Sequence, residues 1–326
     1  MARLAGRAVV YRADDAFLRW QFGAGWRRAN RARLAAHRNE PVGLDAAQSR
    51  AVEDLRSNGF ASIRAVELVA DGQTVDDLRA EAQRWAESPA VEEAAARYLE
   101  DPRGALRTEE GKPYEVKRYP RVGSEVQVDS PLVRFALCPR MLAVVNSYLE
   151  LDALLFHVDM WRTLPTPQTQ PRTGSQDWHR DPEDIRVLKA FYYASDVTPE
   201  AGPLEYIRGS HYCGRWSDFR PAVRPYGARI AHDDLDRVGA LHSATAAVVP
   251  SGTVVFVDTA GIHRGGYAAE NGRLVCTWAF VSEATPYQRY FQPARLQTNA
   301  EYSTAQTHAL LPASRRSRVG RAERPT

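Results

Sequence analysis

The stretch TAAVVPSGTVVFVDT, residues 245–259, is the part of the sequence that decides the fold class. It contains two β-branched runs separated by the turn-forming letters PSG, a combination that predicts two short strands. Similar short runs, rich in aromatic or β-branched residues, fill the second half of the chain: ALLFHVDMWRTL (153–164), RVLKAFYYASDV (186–197), PLEYIRGSH (203–211) and RLVCTWAFVSE (273–283). Several short strands divided by Gly and Pro turns predict a β-sandwich or jelly roll.

Helical patterns dominate the first half of the chain. LDAAQSRAVEDLRSNGF (44–60) predicts a helix that ends at Asn58-Gly59, and TVDDLRAEAQRWAES (74–88) predicts another. Between them ASIRAVEL (61–68) predicts a strand. A short helix at 90–100, a polar loop at 101–113 and a helical pair split at Pro139 follow. The expected architecture is mostly β with N-terminal helices that buttress the β core.

We expect three regions along the chain: an Arg-rich N-terminal helical extension (1–45), a core domain (46–298) and an Arg-rich flexible tail (299–326). Residues 1–45 carry nine arginines, and helical spacing places Leu18, Phe22 and Trp26 on one side. This pattern favours a helix that packs on the core domain. A surface for anionic membranes or partners is the alternative.

The bulk composition excludes several classes of protein. With 43 basic and 40 acidic residues the charge is nearly balanced, which argues against a nucleic-acid partner. Cys138, Cys213 and Cys276 are odd in number and widely spaced, so we expect no disulfide framework and a reducing cytoplasm. No apolar run approaches the roughly 18 residues that a membrane span needs. The sequence carries no signal for an oligomeric state.

The stretch QDWHRDPED (176–184) contains the pair His179 and Asp181. If the chain is extended there, both side chains leave the same face and can reach one metal ion. His263, just past a β-run and flanked by glycines, supplies a third candidate ligand, and two histidines with one carboxylate suit iron(II). The alternative is a charged surface turn, the interpretation that we keep for Pro182, Glu183 and Asp184.

A second pair with the same spacing, His157 and Asp159, lies inside a clearer strand. It is the alternative pair of metal ligands, although no distinctive sequence pattern follows it at a fixed distance. Either residue can instead line the pocket or help to bind substrate. A buried His–Asp pair that holds adjacent strands together is the purely structural interpretation.

Arg273 begins the strand after His263, beyond an Asn-Gly turn. In a hairpin the ends of neighbouring strands adjoin, so the guanidinium can face the same cavity as the histidine. A buried arginine needs an anionic partner, and its fork matches a carboxylate. Metal ligands beside such an arginine indicate a co-substrate that carries a carboxylate.

The order W-H-x-D, then G-P-L-x-x-I-x-G-S-H, then H-R-G with an arginine ten residues on, resembles the phytanoyl-CoA dioxygenase-like family. LRSNGFASIRAVEL (55–68) also looks like that family's first helix and strand, and the resemblance covers roughly residues 50–290. It implies a double-stranded β-helix (a cupin-like jelly roll) and an oxygenase dependent on Fe(II), 2-oxoglutarate and O2.

By that resemblance the metal ligands are His179, Asp181 and His263, and Arg273 pairs with the distal carboxylate of 2-oxoglutarate. Further residues expected around the co-substrate and pocket are Lys189, Trp161, Arg162, Phe191 and Tyr193. The sequence departs from many such oxygenases in lacking a serine two residues after Arg273. Thr277 is the candidate for the missing hydroxyl.

The reaction implied is hydroxylation of an unactivated C–H bond in a small polar or anionic metabolite, such as a biosynthetic intermediate, with release of succinate and CO2. Asp181 argues against the related halogenases, in which a small residue replaces the carboxylate; ring formation and desaturation use the same ligands. Arginines of the variable segments are candidates for binding an anion: Arg118, Arg121, Arg172, Arg215, Arg220, Arg224 and Arg229. An acyl-CoA substrate follows from the family name only.

Two alternatives belong to other classes of protein. One is a non-catalytic β-sandwich that binds a ligand without iron. The other is a cupin-type metalloenzyme independent of 2-oxoglutarate, which would present more clustered histidines and have no use for Arg273.

Overall fold

The computed structural model describes residues 23–39, 42–108, 112–119, 123–167, 172, 174–217, 219, 229–285, 287, 289–294 and 302–311. Residues 23–29 are helical. The helices that follow are α1 (Arg31–Asn39), α2 (Ala46–Asn58), α3 (Gly72–Ala86), α4 (Pro89–Glu100), α5 (Pro102–Thr108), α6 (Pro131–Ala136), α7 (Pro139–Leu149), α8 (His232–Arg237) and α9 (Thr304–Ala309). The strands are β1 (Phe60–Arg64), β2 (Glu115–Lys117), β3 (Ser124–Gln127), β4 (Leu154–Thr163), β5 (Leu188–Tyr193), β6 (Leu204–Ile207), β7 (Ala244–Ala246), β8 (Thr253–Asp258), β9 (His263–Gly265), β10 (Arg273–Val281) and β11 (Phe291–Ala294).

A six-stranded sheet in the order β1-β8-β5-β10-β4-β2 forms the centre of the fold, and every neighbouring pair is antiparallel. A smaller antiparallel sheet has the order β7-β6-β9, and β3 pairs with β11 in parallel. The expected combination of β-sheets with N-terminal helices is confirmed.

One face of the large sheet packs against helices. Alternate residues of its strands are buried there with side chains from α2, α3, α6 and α7. The sheet contributes Val158, Met160, Leu188, Ala190, Tyr192, Val254, Phe256, Cys276, Trp278 and Phe280 to this core. Because these side chains are large and apolar, this layer contributes most of the hydrophobic stabilisation.

The other face of the large sheet packs against the small sheet. Phe191, Val255 and Val275 of the large sheet share a second core with Leu204 and Tyr206 of β6. The two sheets therefore lie face to face, and the candidate site lies between them.

The end of α2 shows why the sequence terminates a helix where it was predicted to. Gly59 has φ +75°, a left-handed conformation that glycine adopts without strain. A Cβ at Gly59 would also collide with the Tyr206 hydroxyl. The Asn58-Gly59 signal therefore reflects both the helix cap and the close approach of β6.

Two local predictions are wrong in the first half. The polar loop predicted at 101–113 contains α5, which begins with Pro102 at its first position, while Asp101 accepts a hydrogen bond from the Gly104 amide at 2.9 Å. The strand predicted at 61–68 ends at Arg64 and continues as a 3-10 turn over Ala65–Leu68. At these two places, local hydrogen bonds determine the secondary structure more than the residue composition does.

The flexible tail predicted from residue 299 is wrong for residues 302–311. Ser303 and Gln306 form a capping box that begins α9, and Ala309 and Leu310 are buried against the main core. A helix of six residues is too short to show periodicity, which explains the error. Residues 312–326 lie outside the described part.

The N-terminal extension contacts the core wherever it is described. Trp26 packs against the helix-covered core, and the buried Asn30 donates a hydrogen bond to Ser282 Oγ at 3.0 Å. Leu18 and Phe22 lie outside the described residues. Within the described part of the chain, none of the helices has the length and apolar character needed to cross a bilayer.

Candidate metal centre

His179, Asp181 and His263 converge at the edge of the small sheet. His179 pairs with His263 through two backbone hydrogen bonds of 2.9 and 3.0 Å, so the segment before Asp181 extends the sheet beyond β9. The Asp181 amide donates to the Thr259 carbonyl at 2.8 Å. The chain is therefore extended at this point, and the two side chains leave the same face.

The distances among the three side chains suit a single ion. His179 Nε2 lies 3.8 Å from Asp181 Oδ1, and His263 Nε2 lies 3.6 Å from Asp181 Oδ2. All three ligand atoms lie within 4.8 Å of one another. Among the residues that the structure describes, this is the one cluster of three such side chains able to hold a metal.

Backbone carbonyls set the tautomer of both histidines. His179 Nδ1 lies 2.8 Å from the Asp177 carbonyl, and His263 Nδ1 lies 3.1 Å from the Gly261 carbonyl. Because a carbonyl only accepts, each Nδ1 carries the proton and each Nε2 keeps a lone pair for a metal. Burial lowers the pKa of both rings, that of His263 to about 3 with help from the nearby His179. Both imidazoles are therefore neutral at physiological pH.

Asp181 is held in its ionised form. Burial alone would raise its pKa, but the Lys189 ammonium 2.6 Å from Oδ2, together with the two histidines, lowers the pKa below its usual range. Two neutral imidazoles and one carboxylate are a donor set that suits a divalent transition metal with open coordination positions.

Arg273 places unused donors between the two sheets. Its side chain is buried, and within the described residues Nε and Nη1 have no hydrogen-bond partner. Nη2 lies 3.8 Å from the point where a Cβ on Gly265 would stand, so the guanidinium reaches the end of β9. A buried, incompletely bonded guanidinium fits a carboxylate ligand.

The route by which Arg273 reaches His263 differs from the predicted one. β9 pairs with β6 in the small sheet, while β10 lies between β5 and β4 in the large sheet. The two residues therefore face each other across the space between sheets and do not belong to one hairpin. The Asn-Gly turn predicted a hairpin locally, but it is instead the crossing from one sheet to the other.

Comparison with known proteins agrees with this arrangement. Residues 55–269 match the profile of the family described as Phytanoyl-CoA dioxygenase (PhyH). The chain belongs to this family. The histidines, the aspartate and the G-P-L segment all lie within the matched range. No curated protein sequence matches the chain significantly.

Several solved structures are similar to the chain. The epimerase SnoN, in complex with Fe3+, alpha ketoglutarate and nogalamycin RO, is 18% identical, with 74% of this chain and 86% of that chain covered and a TM-score of 0.46. EctD from S. alaskensis, with 2-oxoglutarate and 5-hydroxyectoine, is 19% identical over 78% and 86%, also with a TM-score of 0.46. AviO1 from Streptomyces viridochromogenes Tue57 is 20% identical over 75% and 98%, with the same TM-score.

Most other predicted residues lie on the inner face of the large sheet, and one does not. Trp161 meets Phe191 edge-on at 6.3 Å, and Tyr193 shares the second core with Phe191. Thr277 is buried between the register positions of Phe191 and Asp159. Arg162 points to the opposite face and pairs with Glu92 at 2.7 Å, because successive residues of a strand alternate in direction. Its predicted contact with the co-substrate is wrong.

The competing pair His157 and Asp159 does not converge on a third ligand among the described side chains. Asp159 Oδ1 accepts hydrogen bonds from the Tyr119 and Met160 amides at 3.0 and 2.8 Å, and burial raises the pKa of the carboxyl to about 6. His157 packs edge-on against Tyr290 at 5.5 Å. Both occupy the inner face beside the site, as pocket residues do.

A cluster of charges that sequence reasoning missed lies on β2 and in the segment just before it. Lys112 Nζ and Lys117 Nζ lie 3.6 and 3.5 Å from Glu115 Oε2. The two ammonium groups lower the Glu115 pKa against the effect of burial. Glu115 and Lys117 alternate with an apolar residue, the one signal that could have identified β2 inside a polar segment.

The arginines predicted as anion binders have other partners. Arg118 pairs with Glu81 at 2.6 Å, and Arg229 pairs with Asp177 at 3.0 Å. Arg172 and Arg215 lie over the rings of Tyr267 and Trp216. Arg121, Arg220 and Arg224 lie outside the described residues. Lys112 is close enough to the metal centre to add to the effect of burial in lowering the pKa of His179.

The acidic run after Asp181 is not the solvated turn that we expected. Asp184 Oδ2 accepts hydrogen bonds from the amide and hydroxyl of Ser282 at 2.8 and 2.7 Å, and burial raises the pKa of this carboxyl to about 6. Glu183 is buried and accepts from the Tyr290 hydroxyl at 3.2 Å. These contacts help to fix the segment that contains His179 and Asp181, and those of Asp184 attach it to the end of β10.

Proposed function

We propose that the protein is an Fe(II)- and 2-oxoglutarate-dependent dioxygenase that hydroxylates a C–H bond of a small anionic metabolite. The observation that carries the proposal is the convergence of two Nε2 lone pairs and one carboxylate within 4.8 Å. We further propose that the two sheets form the double-stranded β-helix of a single catalytic domain spanning 46–298.

In this proposal His179, Asp181 and His263 hold the iron. The ring protons of the two histidines are hydrogen-bonded to the carbonyls of Asp177 and Gly261, so metal binding needs no change of tautomer. Lys189 was expected to contact the co-substrate. Its ammonium is already bonded to Asp181 Oδ2, so we now assign it to orienting that carboxylate.

The chain offers a complementary site for 2-oxoglutarate. Arg273 presents two buried donor atoms without hydrogen-bond partners among the described residues, and these suit the distal carboxylate. Thr277 Oγ1 and Trp161 Nε1 are also buried without partners among the described residues. A cupin-type enzyme that works without 2-oxoglutarate has no use for Arg273, and a ligand-binding sandwich without iron has no use for the three metal ligands.

Iron held by the three ligands and 2-oxoglutarate held by Arg273 would supply the oxidation, in which one oxygen atom of O2 enters succinate with loss of CO2 and the other enters the C–H bond of the substrate. The role of the protein would be to bind and orient both partners. Asp181 occupies the position that a halide would need, which favours hydroxylation over halogenation. The free state of all three cysteines agrees with a cytoplasmic enzyme.

The charges around the site favour an anionic substrate. Lys112, Lys117, Lys189 and Arg273 are four cations, while the acidic groups beside them are Glu115, Asp181 and Asp159. An Fe(II) ion and a 2-oxoglutarate dianion cancel each other, so one positive charge stays uncompensated. An anionic group on the substrate would balance it.

The class of reaction is tested by succinate formation from 2-oxoglutarate with Fe(II), ascorbate and O2. We expect turnover by the wild type and none by His179→Ala. Asp159→Asn is the matched control, because Asp159 belongs to a second His-x-Asp pair beside the site without being a ligand, and this variant should retain metal binding. Wild-type protein that binds neither Fe(II) nor 2-oxoglutarate in anaerobic calorimetry would refute the proposal.

The substrate class is tested with a panel of carboxylated, phosphorylated and neutral metabolites, with acyl-CoA esters included. We expect acceleration of succinate formation only by anions, and a KM for the active anion that rises about tenfold in Lys112→Met, in line with loss of one charge-assisted contact. If Lys117→Met raises the KM for 2-oxoglutarate instead, that lysine belongs to the co-substrate site. Acceleration by a neutral compound alone would refute the anionic class.

A further inference from the structure

Arg180, the residue between two of the metal ligands, is almost completely buried, with 4% of its surface exposed. Strand alternation directs it away from the metal, to the side opposite His179 and Asp181. Its guanidinium donates to four backbone carbonyls: Nη1 to Ser210 and Ala260, both at 2.7 Å, and Nη2 to Trp216 at 2.8 Å and Phe219 at 3.1 Å.

These carbonyls belong to two other segments that border the site. Ala260 lies in the turn that leads from β8 to His263, and Ser210, Trp216 and Phe219 lie in the segment after β6. Ser210 is also bonded to that turn, because its hydroxyl accepts from the Ile262 amide at 2.7 Å. Arg180 thus joins the extended segment carrying two ligands to the turn preceding the third.

The turn before His263 has little freedom of its own. The Gly261 amide donates to the Asp258 carbonyl at 2.9 Å, and the Gly261 carbonyl accepts from His263 Nδ1. A side chain on Gly261 would collide with the Tyr206 hydroxyl. A shift of Ala260 would therefore be transmitted directly to the His263 ring.

We propose that Arg180 is a positioning residue for the metal centre: it fixes the separation of His263 from His179 and Asp181 by clamping the backbones that carry them. A planar guanidinium donates two diverging pairs of hydrogen bonds, a geometry that the ammonium of lysine does not reproduce. The inference rests on the metal centre itself and is independent of the reaction and the substrate.

Arg289 provides a matched control. Its guanidinium also binds backbone carbonyls, donating to Leu310 and Ala309 at 2.9 Å each and to Leu311, but these lie at the end of α9. Arg289→Lys therefore removes the same kind of clamp from a different part of the fold. A purely structural role for Arg180 predicts that the two substitutions have the same consequences.

The experiment compares wild type, Arg180→Lys, Arg180→Met and Arg289→Lys. Fe(II) dissociation constants come from anaerobic calorimetry, the ligand geometry from the visible spectrum of the Co(II)-loaded protein, and thermal stability from melting curves. We expect the dissociation constant to rise about tenfold in Arg180→Lys and further in Arg180→Met, with an altered Co(II) spectrum, the range found for residues that support metal ligands. Arg289→Lys should keep the wild-type constant and spectrum even if it melts earlier.

Unchanged Fe(II) affinity and Co(II) spectrum in Arg180→Lys and Arg180→Met would overturn the proposal while leaving the metal centre intact. Equal losses of affinity in Arg180→Lys and Arg289→Lys would also overturn it, since the effect would then be general destabilisation. If Arg180→Met does not fold, the Arg180→Lys comparison decides. Wild-type protein that binds no Fe(II) would overturn the metal centre and the positioning role together.

Discussion

The two faces of the large sheet are built from the same strands and differ in whether their buried polar atoms have hydrogen-bond partners. On the helix-covered face, Trp278 donates from Nε1 to the Leu132 carbonyl at 2.9 Å and stacks on Phe135 at 5.2 Å. Its neighbours on that face, Cys276 and Phe280, are completely buried. The layer is apolar, and the indole nitrogen within it is satisfied.

The inner face alternates with the first, residue by residue, along β4 and β10. Here Arg273, Thr277, Trp161 and Thr163 each have a buried polar atom without a hydrogen-bond partner among the described residues. An unsatisfied buried polar atom costs about 1 to 3 kcal/mol, so a group of such atoms lowers the free energy of unfolding. The difference indicates that one face is optimised for stability and the other for a ligand that completes its hydrogen bonds.

The largest effect on stability is expected from Trp278→Ala on the helix-covered face. Removing a fully buried indole leaves a cavity and an unpaired Leu132 carbonyl, so the free energy of unfolding should fall by about 4 kcal/mol. Denaturant unfolding measures this loss. At temperatures where the variant is folded, Fe(II) affinity should stay at the wild-type value, and a proportional loss of affinity would show that the two faces are not separable.

Arg273→Met on the inner face should have the opposite profile. Replacing a buried, incompletely bonded guanidinium with an apolar side chain should leave the free energy of unfolding unchanged or slightly higher. The affinity for 2-oxoglutarate should fall by about 2 to 4 kcal/mol, or roughly 30- to 1,000-fold, because a buried carboxylate loses its charged partner. Anaerobic calorimetry on the Fe(II)-loaded protein measures the change.

Arg273→Lys separates charge from geometry at the same position. Lysine keeps the charge and loses the two-pronged fork, so its affinity should lie between those of wild type and Arg273→Met. Equal affinity in all three proteins would mean that 2-oxoglutarate does not use this residue.

The alternation of these faces could be predicted from the sequence because period two is visible in RLVCTWAFV and in LKAFYY. The spacing of His179 and Asp181 predicted a pair of ligands on one face of an extended chain, but the family resemblance was needed to choose this pair over His157 and Asp159 and to add His263. Strand order could not: nothing in the letters around the Asn-Gly turn shows that β9 and β10 lie in different sheets. That arrangement depends on long-range pairing with β6, β4 and β5.

The residues missed by the sequence share a physical reason. Glu115 and Lys117 belong to a three-residue edge strand and Lys112 precedes it, within polar surroundings where no periodic pattern is long enough to be recognised. Arg180 looked like a spacer between ligands, because a buried arginine bonded to backbone carbonyls has no partner side chain that a sequence could reveal. Such roles become visible only when the path of the surrounding backbone is known.

The pH dependence of stability tests the inner face through His157. Burial, followed by the charges of Lys189, Lys117 and Lys112, lowers its pKa well below 6.5, with only Asp181 opposing. Below pH 6.5 His157 therefore binds a proton in the unfolded chain but stays neutral in the folded chain, and stability falls as the pH falls. Relative to His157→Gln, the wild type should lose up to about 1.4 kcal/mol per pH unit between pH 6.5 and 5. Parallel stability profiles for the two proteins would contradict this assignment.

The smallest effect is expected from Thr277→Val, which replaces an orphaned hydroxyl with a methyl group of the same shape. Stability should rise by up to about 1 kcal/mol, since no hydrogen bond is lost and a buried polar atom is removed. If Thr277 provides the hydroxyl for 2-oxoglutarate, the affinity for 2-oxoglutarate should fall about fivefold at the same time. Thr163→Val is the control, as its hydroxyl is equally unpartnered on the neighbouring strand. Loss of 2-oxoglutarate affinity in Thr163→Val alone would assign the hydroxyl contact to β4. A loss of stability in both variants would mean that the two hydroxyls already have hydrogen-bond partners and that the inner face needs no ligand to satisfy them.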